Sequence, residues 1–210
     1  MNIKNKLTKT SEHIRRHYKD ELVITAFRDE ILSSMPNVPR EFIVVCIGTD
    51  RSTGDALGPL TGTFLTEQKP DNLSVYGTVH EPVHATNLQD YLDYIYGKYK
   101  EPFIIAIDAC LGKISSVGQL TFHRGPVRPG AALHKELPTV GDIHLTGIVN
   151  ISGFMEYTVL QNTRLSVVID MARKLAHILQ EVDHCLARHQ PVASIVLAQN
   201  EQKNTSSIYN

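Results

Sequence analysis

The sequence contains three cysteines, no tryptophan and no long hydrophobic run. The cysteines are odd in number and none of them forms a C-x-x-C pair, so neither a disulfide framework nor a zinc module is expected. The longest apolar runs, at 42–47 and 103–107, are far shorter than the ~18–20 residues of a membrane-spanning helix. No apolar stretch follows the basic N-terminus, which argues against a secretory signal. These absences predict a cytoplasmic protein without a membrane anchor.

An excess of charge of one sign is also missing. The chain has 21 lysines and arginines against 22 aspartates and glutamates, which gives a formal net charge of −1. That balance provides no global attraction to nucleic acid or to an anionic membrane, so we expect neither as a direct partner. The composition, 42% hydrophobic and 20% charged over 210 residues, is that of one ordinary globular domain.

Apolar segments that suit buried strands alternate along the chain with amphipathic segments that suit helices. The predicted strands are 42–47, 73–79, 103–107, 117–123 (as an edge strand) and 143–149. The predicted helices are 11–35, 55–68, 87–99 and 163–188. Alternation of this kind predicts a single three-layer α/β/α domain with a mainly parallel sheet.

We expect this α/β domain to occupy residues 41–198. Residues 1–40 are predicted to form an N-terminal helical segment that packs on the domain. The polar residues 199–210 are predicted to form a flexible tail, because chain ends without apolar anchors are poorly ordered.

Two aspartates follow predicted strands, at the ends where parallel sheets collect their functional groups. Asp55 comes after the strand at 42–47 and a glycine-bounded loop, and Asp108 directly ends the strand at 103–107. Because parallel strands end at one edge of the sheet, we expect both carboxyls in one cleft, less than ~10 Å apart. Such a pair cannot ionise fully, so one member is expected to hold a proton near neutral pH. The pair can activate water against an amide carbonyl or bind a divalent metal.

Each of these residues also has a structural interpretation. Asp55 opens a predicted helix, and an aspartate N-cap stabilises a helix by roughly 0.5–2 kcal/mol. Asp108 closes an apolar strand, where an acid seldom serves stability. Cys110, two residues further on, is a candidate thiol nucleophile, although a small buried cysteine is the commoner outcome. The two aspartates together are therefore a stronger indication of a site than either alone.

Histidines provide further candidates. His84 lies in the loop after the second predicted strand, where we expect it at the rim of the same cleft. His13 and His17 stand four residues apart on the predicted first helix, a spacing that suits metal ligands. The Ile-Arg-Arg between them brings positive charge, which disfavours a metal site there.

Four segments carry a resemblance to a known family: CIGTDRSTGDALGPLTG at 46–62, FIIAIDACLG at 103–112, RPGAAL at 128–133 and HLTGIVN at 144–150. They resemble the germination protease and hydrogenase maturation protease superfamily and, within it, the sporulation protein YyaC family. The resemblance covers most of residues 41–188. It implies the phosphorylase/hydrolase-type α/β/α fold of that superfamily, with residues 41–198 as a peptidase-like domain.

In germination protease the two matching aspartates are the essential catalytic residues. The resemblance therefore implies an endopeptidase of the aspartate type, without a cofactor, that uses Asp55 and Asp108. It implies a protein or peptide substrate, the small acid-soluble proteins that coat spore DNA, and a location in the forespore of a spore-forming bacterium. We expect His84, Arg128 and Gly130 to border the cleft and contact the substrate.

Two alternatives remain. In the maturation proteases, acidic residues that match Asp55 and Asp108 bind nickel together with a histidine on a later helix. The nearest candidate here is His134, so a metal-dependent maturation peptidase with a divalent metal on Asp55, Asp108 and His134 is one alternative. The other is a non-catalytic sporulation protein that keeps the fold and binds a partner. The oligomeric state is open, a homo-oligomer included.

Overall fold

The computed structural model describes residues 13–38, 40–130 and 137–189. The strands are β1 His13–His17, β2 Phe42–Cys46, β3 Leu73–Tyr76, β4 Phe103–Gly112, β5 Gln119–Arg124 and β6 Ile143–Ile151. The helices are α1 Val23–Ser34, α2 Leu57–Glu67, α3 Leu88–Lys98, α4 Glu156–Gln161 and α5 Leu165–His189. One 3₁₀ turn, Ile114–Ser116, links β4 to β5.

The six strands form one mixed sheet in the order β1-β5-β6-β4-β2-β3. The four strands β6, β4, β2 and β3 run parallel, whereas β5 is antiparallel to both of its neighbours. The predicted α/β fold is confirmed. The predicted edge position of β5 is wrong, because β1 pairs along its outer side and becomes the edge strand.

The first predicted helix, 11–35, is a strand followed by a shorter helix. Ile14 and Tyr18 fit a helical spacing, but pairing with β5 places His13–His17 in the sheet instead, and the backbone N–H of Tyr18 continues the contact by donating to Gly118 (2.9 Å). Long-range strand pairing here overrides a local pattern, as it often does. On a strand His13 and His17 are ~13 Å apart, which is too far for two ligands of one metal ion.

Helices pack on both faces of the sheet, which gives the expected three layers. On β4 the odd-numbered Ile105 and Ile107 pack against α1, α2 and α5 through one apolar cluster. The even-numbered Ile104 and Ala106 pack with α3 through a second cluster. A strand buried on both faces requires the continuous apolar run that its sequence shows. The predicted tail at 199–210 lies outside the described residues.

The N-terminal half of α2 lies directly on the backbone at the end of β2, without side chains between them. A Cβ atom at Gly58 would lie 2.1 Å from the carbonyl oxygen of Ile47, and one at Gly62 would lie 2.1 Å from that of Gly77. Only glycine permits this approach. The contact fixes the start of α2, and with it the loop that carries Asp55.

We therefore expect Gly58→Ala to lower the free energy of unfolding by about 2–3 kcal/mol, because α2 must move away from Ile47 to accept the methyl group. The matched control is Gly97→Ala, an exposed position in α3 where an added Cβ meets no atom within 4 Å. The control is expected to leave stability unchanged or to raise it by about 0.5 kcal/mol. Denaturant unfolding followed by circular dichroism measures both, and equal midpoints would contradict the close contact.

Candidate functional site

Asp55 lies in the turn between β2 and α2, and backbone contacts hold that turn from two sides. The N–H of Thr49 donates to the carbonyl of Asp55 (3.2 Å), and the N–H of Gly54 donates to that of Leu160 on α4 (2.8 Å). Gly48 has a positive φ of 146°, and a Cβ atom there would lie 1.9 Å from the Asp55 carbonyl oxygen. The glycine-rich loop is therefore needed for close backbone approach.

Asp108 lies within β4. The sequence had suggested that it ends this strand, and that expectation is wrong. β4 continues to Gly112 because β6 pairs along it, with Thr146 opposite Asp108. β2, on the other side of β4, stops earlier: its last paired residue, Cys46, lies opposite Ile107. Asp108 is thus the first residue of β4 beyond the end of β2, at the edge where the Asp55 turn begins.

Asp55 and Asp108 line one cleft of about 330 Å³. Arg128 and Gly130 line it from the loop after β5, as expected from the sequence, and Glu156 lines it from the start of α4. Helix α4 was not predicted, because residues 151–162 show no clear periodicity. The one sequence signal connected with α4 is Asn150 of the HLTGIVN segment, whose side-chain amide donates to the carbonyl of Val159 in α4 (3.2 Å).

Burial gives the two aspartates different acidities. Burial raises the pKa of Asp108 to about 8, and the negative charge of Asp55 adds to this effect. The N–H of Ala109, which donates to the Asp108 carboxyl at 2.9 Å, opposes it. Burial also raises the pKa of Asp55, and the nearby Ser52 hydroxyl lowers it. Asp108 therefore holds a proton at neutral pH, and Asp55 is the better candidate for the ionised member.

The N-cap interpretation of Asp55 does not agree with the structure. Helix α2 begins after Ala56, and no side chain caps its N-terminus. The hydroxyl of Ser52, buried beside Asp55, makes no hydrogen bond of good geometry to any described residue. The turn thus places a carboxyl and a hydroxyl near the cleft without using either to stabilise the helix.

Cys110 also lines the cleft, but its raised pKa keeps it as a thiol rather than as the nucleophilic thiolate. Its Sγ donates to the Thr146 hydroxyl at 3.6 Å, and burial raises the pKa of the thiol, with the Asp108 charge adding to the effect. A nucleophilic cysteine needs the opposite shift, toward thiolate. The structure therefore favours Asp108 over Cys110 as the reactive group of this strand.

The histidine candidate His84 is not brought into the cleft. His84 follows Val83, which bridges to Ile47 beside the end of β2. Its ring nitrogen contacts the hydroxyl of Thr86 at 3.0 Å, before α3, and its side chain does not line the cleft. The expected rim position of His84 is therefore not observed. His134 lies outside the described residues.

The described residues do not form a metal centre on their own. In the described ranges, no three histidine, cysteine, aspartate or glutamate side chains are placed to hold one ion together. Asp55 and Asp108 are candidate ligands, and the third one expected, His134, is not among the described residues. None of the described helices is long and apolar enough to cross a membrane.

The fold and the cleft together define a three-layer α/β protein with a paired-carboxyl site at the end of its central strands. The chain belongs to the DUF1256 family, described as "Protein of unknown function (DUF1256)", which matches residues 15–178. It is 46% identical over 186 residues to a Bacillus subtilis (strain 168) protein described as "Uncharacterized protein YyaC", covering 87% of this chain and 91% of that one. The resemblance to the YyaC family is thereby confirmed.

One solved structure shows a more distant similarity. It is a [NiFe] hydrogenase maturation protease, HycI, from Thermococcus kodakarensis KOD1, which is 15% identical in sequence. The match has a TM-score of 0.45 and covers 73% of this chain and 99% of that one. A similarity of this size carries no inference about activity.

The raised pKa of Asp108 predicts how stability changes with pH. The folded state keeps a proton up to about pH 8 that the unfolded chain loses near pH 4, so this carboxyl makes the protein less stable as pH rises between those values. Asp108→Asn removes the titrating group and is expected to raise the free energy of unfolding at pH 7 by up to about 4 kcal/mol, because about three pH units separate the unfolded pKa from pH 7.

Denaturant unfolding between pH 4 and pH 9 measures this effect. Asp50→Asn, at an exposed position in the loop before Asp55, is the control and is expected to keep the wild-type profile. A wild-type curve that rises steadily across this range, with no gain from Asp108→Asn, would contradict a buried protonated carboxyl.

Proposed function

We propose that this protein is an endopeptidase in which Asp55 acts as general base and Asp108 as general acid. One observation carries the proposal: the two carboxyls line the same cleft, and the burial of Asp108 raises its pKa to about 8, partly through the charge of Asp55. Pairs of carboxyls with separated acidities are the usual means of acid and base chemistry at neutral pH.

In the proposed reaction, protonated Asp108 donates a hydrogen bond to the carbonyl oxygen of the scissile amide. The Asp55 carboxylate takes a proton from a water molecule, whose oxygen attacks the carbonyl carbon while Asp108 transfers its proton to the carbonyl oxygen. The resulting diol collapses as Asp55 passes its proton to the leaving nitrogen and Asp108 recovers its own. The products are a carboxylic acid and an amine, and both aspartates return to their starting states.

The surroundings of the pair support a polypeptide substrate. Arg128 and Gly130 line the cleft from the loop after β5, and Arg128 is exposed, which supports a role for this loop in binding a chain laid across the cleft. Membership in a family that includes YyaC, together with the resemblance to germination protease, favours small acid-soluble spore proteins as the substrate and the forespore as the location.

The test uses the purified full-length chain and a small acid-soluble spore protein. Asp55→Asn and Asp108→Asn are each expected to lower the cleavage rate at least ~10³-fold, and the double variant is expected to be no slower than either, because the pair acts as one unit. Asp50→Asn is the matched control and is expected to cleave at the wild-type rate. Thermal denaturation of each variant shows that the fold is retained.

The same assay separates the alternatives. Cleavage that persists with a chelator supports the paired-aspartate mechanism, whereas cleavage that needs added nickel, zinc or calcium supports the metal-dependent one. If the wild type cleaves no spore protein under any of these conditions, and both aspartate variants still support sporulation, the protein is a binding protein and the peptidase proposal is wrong.

The two acidities also predict the pH profile of cleavage. Activity requires Asp55 ionised and Asp108 protonated, so kcat/KM is expected to fall as pH rises through about 8, where Asp108 loses its proton. At acid pH kcat/KM is also expected to be low, because Asp55 gains a proton and can no longer act as the base. An initial-rate series from pH 4 to pH 10 measures both limbs, and a rate that keeps rising above pH 9 would contradict Asp108 as the acid.

A further inference from the structure

The cleft continues onto a polar part of the sheet surface. On the face that carries Asp108, the apolar cluster with α3 covers β2 and the first half of β4, and no other described helix packs there. Strand register extends this face over β6, β5 and β1: Asp108 lies beside Thr146, Thr146 beside Thr121, and Thr121 beside Arg15. Paired residues in neighbouring strands point to the same face, so the four side chains form one row.

Side-chain contacts agree with this row and with a second one next to it. The hydroxyls of Thr121 and Thr146 are 2.6 Å apart. In the neighbouring row the rings of His13, His123 and His144 stack across three strands, with centroids 5.7 and 5.1 Å apart and nearly parallel planes. Such alignment occurs only if these side chains share the face.

Arg15 is the cation at the outer end of the first row. Its side chain is exposed, and no carboxylate among the described residues forms an ion pair with it. Its charge nevertheless acts along the face: it partly opposes the raised pKa of Cys110 in the cleft, and it adds to the effect of burial that lowers the pKa of His123 in the neighbouring row. The next residue, Arg16, differs in this respect: it bonds Asp20 at 2.9 Å.

The surface therefore presents positive charge and hydrogen-bond donors beside the candidate site. Arg15 contributes a planar fork of donors that matches a carboxylate, and the neighbouring histidines can add donors. Arg128 adds a cation at the cleft, beside the acidic Asp55 and Glu156. A surface of this character complements an acidic polypeptide segment and repels a basic one.

We propose that Arg15 binds a carboxylate of the polypeptide substrate, whose chain runs from the cleft along the face of β6, β5 and β1 that carries Asp108. Three strand spacings separate Asp108 from Arg15, which amounts to ~14 Å. An extended chain advances ~3.3 Å per residue, so the recognised carboxylate lies about four residues from the bond that is cleaved. The inference rests on the proposed peptidase function and adds its substrate class, an acidic peptide.

The test measures binding rather than cleavage, in the full-length chain carrying Asp108→Asn so that peptides remain intact. Two labelled peptides of equal length differ only in having glutamate or glutamine at several positions, and both have amidated C-termini. A third is the glutamine peptide with a free C-terminal carboxylate. Fluorescence anisotropy gives each Kd, first with Arg15 present and then with Arg15→Gln or the control Arg16→Gln added.

The glutamate peptide is expected to bind about tenfold more tightly than its amidated glutamine counterpart, because a charge-assisted pair is gained. Arg15→Gln is expected to abolish this difference without changing the Kd of the amidated glutamine peptide, and Arg16→Gln is expected to preserve it. If only the peptide with the free C-terminus gains Arg15-dependent affinity, and the amidated glutamate peptide does not, the recognised carboxylate is a chain terminus rather than a side chain.

Equal binding of the glutamate and amidated glutamine peptides would overturn the proposal if the peptide with the free C-terminus also gained no Arg15-dependent affinity. A preference for carboxylate that survives Arg15→Gln, or no binding by any of the three peptides, would overturn it too. A failure of the peptidase proposal is seen separately, as absence of cleavage by the wild type. Unchanged thermal denaturation of Arg15→Gln excludes a merely structural effect.

Discussion

The early end of β2 against the longer β4 is the constraint on which the rest of the site depends. The last backbone contact with β4 on this side is made just after β2, where the N–H of Ile47 donates to the carbonyl of Ile107 at 2.7 Å. Past that point β4 keeps only β6 as a neighbour, and the space left by β2 becomes the cleft. Asp108 lies at this step in the sheet, where it is partly buried. The desolvation that results is the main cause of its raised pKa.

The central elements could be predicted from the sequence because their local pattern and their tertiary setting agree. Strand β2 and the first half of β4 are continuous apolar runs, which only a doubly covered parallel strand requires, and α5 has a wide apolar stripe. The edges were not predictable in the same way. Strand β1 is held by pairing with a segment about a hundred residues away, and no local pattern encodes such a contact.

The site was predictable where chain order alone places a residue and not where side-chain direction decides. Asp55 and Asp108 follow from the ends of parallel strands. His84 lies at the same edge of the sheet, but its ring bonds to Thr86 instead of facing the cleft. The row from Asp108 to Arg15 can be recognised only when the register of β4, β6, β5 and β1 is known. Strand β5 is antiparallel to both β6 and β1, and a sequence pattern does not specify the register of these pairs.

The glycine contacts between α2 and the ends of β2 and β3 have a consequence for motion. Gly58, Gly62 and Gly77 bring backbone against backbone, with no rotatable side chain in between. Side chains can change rotamer, on the picosecond to nanosecond scale where they are exposed, whereas a backbone-to-backbone contact contains no such rotatable bond. The turn with Asp55 therefore rests on a backbone contact, and we expect thermal motion of the surrounding side chains to shift it little relative to β4.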